Sequence, residues 1–168
     1  MQPLQTGLTD ILMGVSLGTW IGFVVTIITT FGLLIIRWWR RRVKLRRSLI
    51  AELEQHDLQR VIEPLQSAEA TTNTGGSQDP PPVEPSELPP AGTLPTHIYE
   101  SNAGNLGILS SDEVTDIVEY YSTLLTQKAI IESIRTDGAA ITPDQKELRD
   151  TMPGLEDDRT ELIETLKN

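Results

Sequence analysis

The chain has 168 residues, a net charge of −10, 38% hydrophobic side chains and no cysteine. The missing cysteines exclude disulfide frameworks, thiolate zinc sites and cysteine nucleophiles together. The charge is segregated: residues 1–36 carry −1, 37–65 carry +4, 66–95 carry −4 and 96–168 carry −9. The acidic remainder would repel phosphate, which argues against a nucleic-acid partner for the basic part.

Residues 1–10 form a short tail whose single ionisable side chain is Asp10. Residues 11–36 follow as 26 positions without one ionisable side chain. Roughly 20 apolar residues suffice to cross the hydrocarbon of a bilayer, so this stretch is expected to be a transmembrane helix. Beyond it stand Arg37, Arg40, Arg41, Arg42, Lys44, Arg46 and Arg47, with Trp38 and Trp39 at the level of an aromatic belt. Basic flanks stay cytoplasmic, so the sequence predicts a single-pass protein of the cell membrane with its N-terminus outside and its C-terminus in the cytoplasm. The cluster is also expected to meet anionic lipid headgroups. A cleaved signal peptide would place its positive charge before the apolar core, the reverse of the order here. Gly14, Gly18, Gly22, Thr26 and Thr30 recur every four residues. Such a ridge lets two helices approach closely, either as a pair of copies or with a partner membrane protein; the bland alternative is hydroxyls bonded back to their own helix.

Residues 37–65 keep a helical period, with Leu45, Leu49, Leu53, Leu58, Val61, Ile62 and Leu65 on one side. The expectation is a juxtamembrane helix, either a coiled-coil stalk or an amphipathic helix on the bilayer, ended or kinked near Ile62 by Pro64. His56, between acidic neighbours and without a second histidine at helical spacing, reads as a solvated side chain. Residues 66–95 hold Pro80, Pro81, Pro82, Pro85, Pro89, Pro90 and Pro95 with few apolar side chains, and are expected to be a disordered proline-rich linker.

Residues 96–168 regain an apolar period and are expected to form a small acidic helical module. Ser110 and Glu113 make a capping box, and Leu109 and Val114 stand at the staple positions. The helix so begun runs through Ile117, Tyr121, Leu124, Ile131 and Ile134 and stops near Gly138. A second starts at Thr142 with Pro143 and a box to Gln145, Pro153-Gly154 interrupts it, and a third short helix follows. Tyr99, Asn102, Leu106, Leu109, Ile117, Tyr121 and Leu124 are the candidate partner-binding residues of this module.

Tyr99, Asn102, Leu106, Gly107, Leu109, Tyr120 and Tyr121 carry a resemblance, over about residues 96–130, to uncharacterised prokaryotic and viral membrane-anchored proteins. The arginine-dominated basic set within an acidic chain similarly resembles proteins of halophilic archaea. The resemblance implies no activity.

No catalytic, cofactor-binding or metal-ligating set is expected. Glu113, Asp116 and Glu119 fall on the solvated side of a helix, His97 lacks a companion nucleophile or ligand, and no phosphate-loop, hydrolase or zinc-protease spacing occurs. The sequence therefore points to an all-α, non-enzymatic membrane protein, with neither cofactor nor small-molecule substrate. It would present a helical interaction module as a scaffold or accessory subunit of a membrane complex. The alternative is a membrane-surface sensor whose module binds a ligand or protein and signals through pairing of the transmembrane helix.

Overall fold

A computed structural model describes residues 17–75, 83–137 and 142–168. Every regular element among them is helical. In chain order these are α1 (Leu17–Leu53), α2 (Gln59–Gly75), α3 (His97–Asn102), α4 (Ser111–Asp137) and α5 (Thr142–Lys167), with 3-10 turns at Ala91–Thr93 and Ala103–Ile108. The tail 1–10, Gly14, the prolines at 80–82 and Gly138 lie outside the described residues. The chain divides into two units, Met1–Arg41 and Arg42–Asn168, and α1 has residues in both.

Within the first unit α1 is apolar on every side as far as Ile36. Trp20, Phe23, Val25, Ile28, Phe31, Leu34 and Ile35 are exposed, so no face is selected for a protein core. The Thr26, Thr29 and Thr30 hydroxyls donate to carbonyls four residues back, at 2.8 Å each. α1 is long and apolar enough to cross a membrane.

The second unit is a helical domain whose core begins inside α1. Leu45, Leu49 and Leu53, four residues apart, are buried with Leu58, Val61, Ile62 and Leu65 of the next segment. The expected coiled-coil stalk is not seen, because these side chains are taken up by the chain's own core. Nor is 37–65 one helix. α1 stops at Leu53, the chain turns through 54–58, and Arg159 of α5 donates to the terminal carbonyls, Leu53 O at 3.3 Å and His56 O at 2.7 Å. Pro64 sits inside α2, where it removes one donor without ending the helix.

The expected boundary after Leu65 falls inside α2, which continues to Gly75. The chain from 83 to 96 is not a loose tether either, since Val83, Leu88 and Leu94 are only 2%, 1% and 0% exposed. Prolines lack a donor but leave carbonyls and apolar side chains to be used. The Gln145 side chain of α5 clamps Val83 through both backbone groups, accepting from its N–H at 2.9 Å and donating to its carbonyl at 3.0 Å. Arg135 of α4 donates to the carbonyl of Leu88. Gln145 thus holds this strap; the expected capping box with Thr142 involves a side chain outside the described ones.

α4 begins where the capping box predicts. The N–H and hydroxyl of Ser110 both donate to Glu113 Oε2 at 2.7 Å, and Ser110 Oγ accepts from the Glu113 N–H at 3.4 Å. Its apolar stripe packs against α5 in an antiparallel hairpin, with Asp116 and Glu119 near the start of α4 beside Asp158 and Glu161 near the end of α5. Pro153-Gly154 does not interrupt α5, which carries Pro153 inside one continuous helix. Met152 and Leu155 on either side are buried, and that packing outweighs one missing hydrogen bond.

Candidate functional site

Ionisable side chains gather in two places in the second unit. At the first, the Glu113 carboxylate receives Arg42 Nη2 at 2.6 Å and Arg46 Nε at 2.5 Å while also serving the Ser110 cap. The two arginines lie four residues apart on α1 and so project to the same side. Burial would raise the Glu113 pKa, but the Ser110 hydroxyl and N–H, the Arg42 hydrogen bond and the Arg46 charge outweigh it and bring it down to about 2. Glu113 is therefore a buried anion, not a member of a solvated face, and Arg42 and Arg46 are drawn out of the basic cluster.

The second place joins the end of α1, the strap, α3 and α4. Glu52 is buried at 2% exposure and accepts from Ile98 N at 2.6 Å, Tyr99 N at 3.0 Å and the Tyr121 hydroxyl at 2.8 Å. It supplies the acceptor that α3 lacks locally, because Thr96 at its N-cap makes no side-chain cap bond. The Thr96 hydroxyl instead donates to Glu100 at 2.7 Å and accepts from Lys128 at 3.0 Å. Tyr99 stacks on Tyr121 with ring centroids 4.1 Å apart and planes 4° apart.

His56 is only 2% exposed, contrary to its reading as a solvated side chain. Its Nε2 lies 2.6 Å from the carbonyl oxygen of Pro95 and its Nδ1 lies 2.8 Å from the Tyr120 hydroxyl. A carbonyl can only accept, so Nε2 carries the hydrogen and Nδ1 accepts from Tyr120. The neutral imidazole is thus fully satisfied, and it also stacks on the Tyr120 ring at 5.9 Å. Burial lowers the His56 pKa below 6.5; the Pro95 carbonyl and the Glu52 charge oppose this, while Arg159 and Lys128 add to it. Burial likewise raises the Tyr120 and Tyr121 hydroxyls, the latter further through Glu52. These groups hold the neutral protonation states in which they bond to one another.

Tyr120 also borders a cleft of about 180 Å³ with Asp116, Glu119, Asp158, Glu161 and Leu162. Among the described residues no group of three or more His, Cys, Asp or Glu side chains converges to hold a metal ion.

The candidate residues of the module divide by burial. Ile117, Tyr121 and Leu124 are 0% exposed and Leu106 and Leu109 are buried, so these five make the core rather than a docking face. The same apolar period serves either use, which is why the sequence alone does not separate them. Asn102 donates to Ile98 O at 2.8 Å within its own short helix. In the cluster beyond the apolar run, Arg37, Trp38, Trp39, Arg40, Arg41, Lys44 and Arg47 are exposed. On the glycine ridge, Gly18 and Gly22 lie in α1, Thr26 donates to Gly22 O and Thr30 to Thr26 O. A Cβ at Gly22 would meet nothing. The residues missed from sequence are Glu52, His56 and Arg159; nothing in their spacing marks them, since each acts across more than 35 positions. Comparison with family profiles, curated proteins and solved structures gives no match.

Proposed function

We propose that this chain is a non-enzymatic single-pass membrane protein, N-terminus outside, whose span leads into a folded cytoplasmic helical domain acting as a scaffold or accessory subunit of a membrane complex. One observation carries the reading. A single helix, Leu17–Leu53, is apolar and exposed all round in its first part and amphipathic in its last, where Leu45, Leu49 and Leu53 are buried. Water selects against the first pattern and favours the second, so one helix is suited to two solvents. The exposed arginines and tryptophans at the change of pattern fit a cytoplasmic interface with anionic lipid.

This reading departs from a module on a flexible tether. The domain begins at Arg42, six positions after the last apolar residue of the run, and 83–96 is part of it. The scaffold role is tested by purifying the full chain from native membranes and measuring the mass of the complex. The expected result is retention in the membrane after alkaline carbonate washing, and a complex of defined stoichiometry that persists when residues 11–36 are replaced by an unrelated apolar span. Release by carbonate would remove the membrane assignment, and isolation only as a lone monomer would remove the scaffold role.

A further inference from the structure

His56 occupies the turn between α1 and α2, and three other segments close over it. The strap offers the Pro95 carbonyl to Nε2, α4 offers the Tyr120 hydroxyl to Nδ1, and α5 holds the turn itself through the Arg159 bond to His56 O. The imidazole is therefore the side chain that ties the end of α1 to both the strap and α4. The full set of partners fits only the neutral ring: an added proton leaves the Nε2–H bond to Pro95 in place but ends the acceptance from Tyr120 at Nδ1. A proton added at Nδ1 would meet the oxygen of a hydroxyl that until then donated to it, and Tyr120 would have to reverse and find another acceptor for its hydrogen.

The charged groups around the ring do not welcome a cation. From α1, Glu52 attracts it, but its oxygens already accept from Ile98, Tyr99 and Tyr121. From α4, Lys128 opposes it while bonded to Thr96, and the Tyr121 ring meets the imidazole edge-on at 6.1 Å. From α5, Arg159 opposes it, its own charge paired with Glu156 at 2.6 Å. On the turn itself, Asp57 is paired with Arg60 and faces solvent. Opening the contact with Pro95 lets water reach the ring and relieves the cation; the other ties of the strap among the described residues are the Gln145 clamp at Val83, the Arg135 bonds at Pro85 and Leu88, the Lys128 bond at Thr96 and its buried apolar side chains.

We infer that His56 is a proton-operated latch, closed when neutral, whose protonation in mildly acid conditions releases the strap at residues 83–96 from the helical domain. The latch lies wholly within Arg42–Asn168 and does not depend on the membrane reading.

The test is amide hydrogen exchange on the full chain in detergent micelles at pH 8, 6 and 5, corrected for intrinsic exchange rates. Protection of 83–96 should fall at least tenfold between pH 8 and pH 5 in the wild type, and change less than twofold in His56→Gln, which keeps a donor but cannot charge. Equal loss in both proteins, or no loss in the wild type, overturns the latch. Should His56→Gln not fold, the exposed second histidine offers another route. In His97→Gln the one remaining imidazole is followed by NMR while exchange is measured. The latch requires the ring to titrate in step with opening of 83–96, and opening without titration of the ring overturns it.

Discussion

Glu113 shows how much one side chain is asked to do. Its two oxygens accept from two arginines and from the cap of α4, so removing its charge takes this carboxylate from Arg42 and Arg46 while leaving the shape of the cap. Glutamine is the variant that separates the two roles, because it still fits a capping box. Breaking a buried ion pair from one side costs about 3–5 kcal/mol; the arginines here are partly exposed, so Glu113→Gln is expected to cost about 2–3 kcal/mol by chemical unfolding at pH 7. The pH dependence has a definite sign. A carboxyl at about 2 when folded and near 4.5 when unfolded stabilises the domain fully above 4.5, and that stability drains away as pH falls toward 2. The variant should lose this part of the acid limb, and an unchanged slope between pH 4.5 and 2 would mean that the charge is not held in solution. His56 acts in a separate window with the same direction. Its lowered pKa makes the neutral form the stabilising one, so that contribution is complete above 6.5 and lost as pH falls below it.

Helices stop and continue here for reasons that packing decides. Gly154 lies inside α5, exposed, and a Cβ built there would touch nothing. A glycine inside a helix costs roughly 0.5–1 kcal/mol relative to alanine, so Gly154→Ala should stabilise the domain by about that much. A thermal melt in detergent checks it: a midpoint that falls would mean that the helix at 153–154 is distorted in a way alanine does not tolerate. The same position explains what the sequence concealed. Pro153-Gly154 is a strong local stop signal, yet Met152, Leu155 and Leu162 bury across it, and tertiary burial overrides a local preference worth a few kcal/mol. Local signals were legible where the structure answers them locally. The Ser110 box starts α4 because both partners lie within one turn, and the apolar run of α1 needs no partner at all. The strap and the His56 junction were hidden for the opposite reason. Proline-rich 83–96 is held by Gln145 and Arg135, and His56 by Pro95 and Tyr120, contacts that span 39 to 64 positions and leave no period in the sequence. The candidate interface residues Ile117, Tyr121 and Leu124 were identified as apolar and helical, but burial alone tells core from docking face.

At the scale of the molecule, burial and ion pairing divide the basic cluster into two sets. Arg42 and Arg46 pair with Glu113, whereas Arg37, Arg40, Arg41, Lys44 and Arg47 are exposed, and these five are the set on which the proposed lipid contact and orientation would draw. Topology follows the number of basic residues within about 15–20 positions of a span, so the five exposed ones are the set to change. In intact cells a tag at the C-terminus is expected to be protected from external protease and one before Gln5 to be cut. Replacing Arg37, Arg40, Arg41, Lys44 and Arg47 by glutamine should expose the C-terminal tag in a substantial share of molecules, because the bias across the span then rests on Arg42 and Arg46 alone. Changing only Arg42 and Arg46 should leave the C-terminal tag protected and appear instead as lower stability of the domain, through the loss of both partners of Glu113. A C-terminal tag cut in the unaltered protein would reverse the orientation and put the acidic domain outside the cell. Equal effects of the two sets on topology would show that the pairing with Glu113 forms only after the span is inserted, so that all seven basic residues count while orientation is being decided.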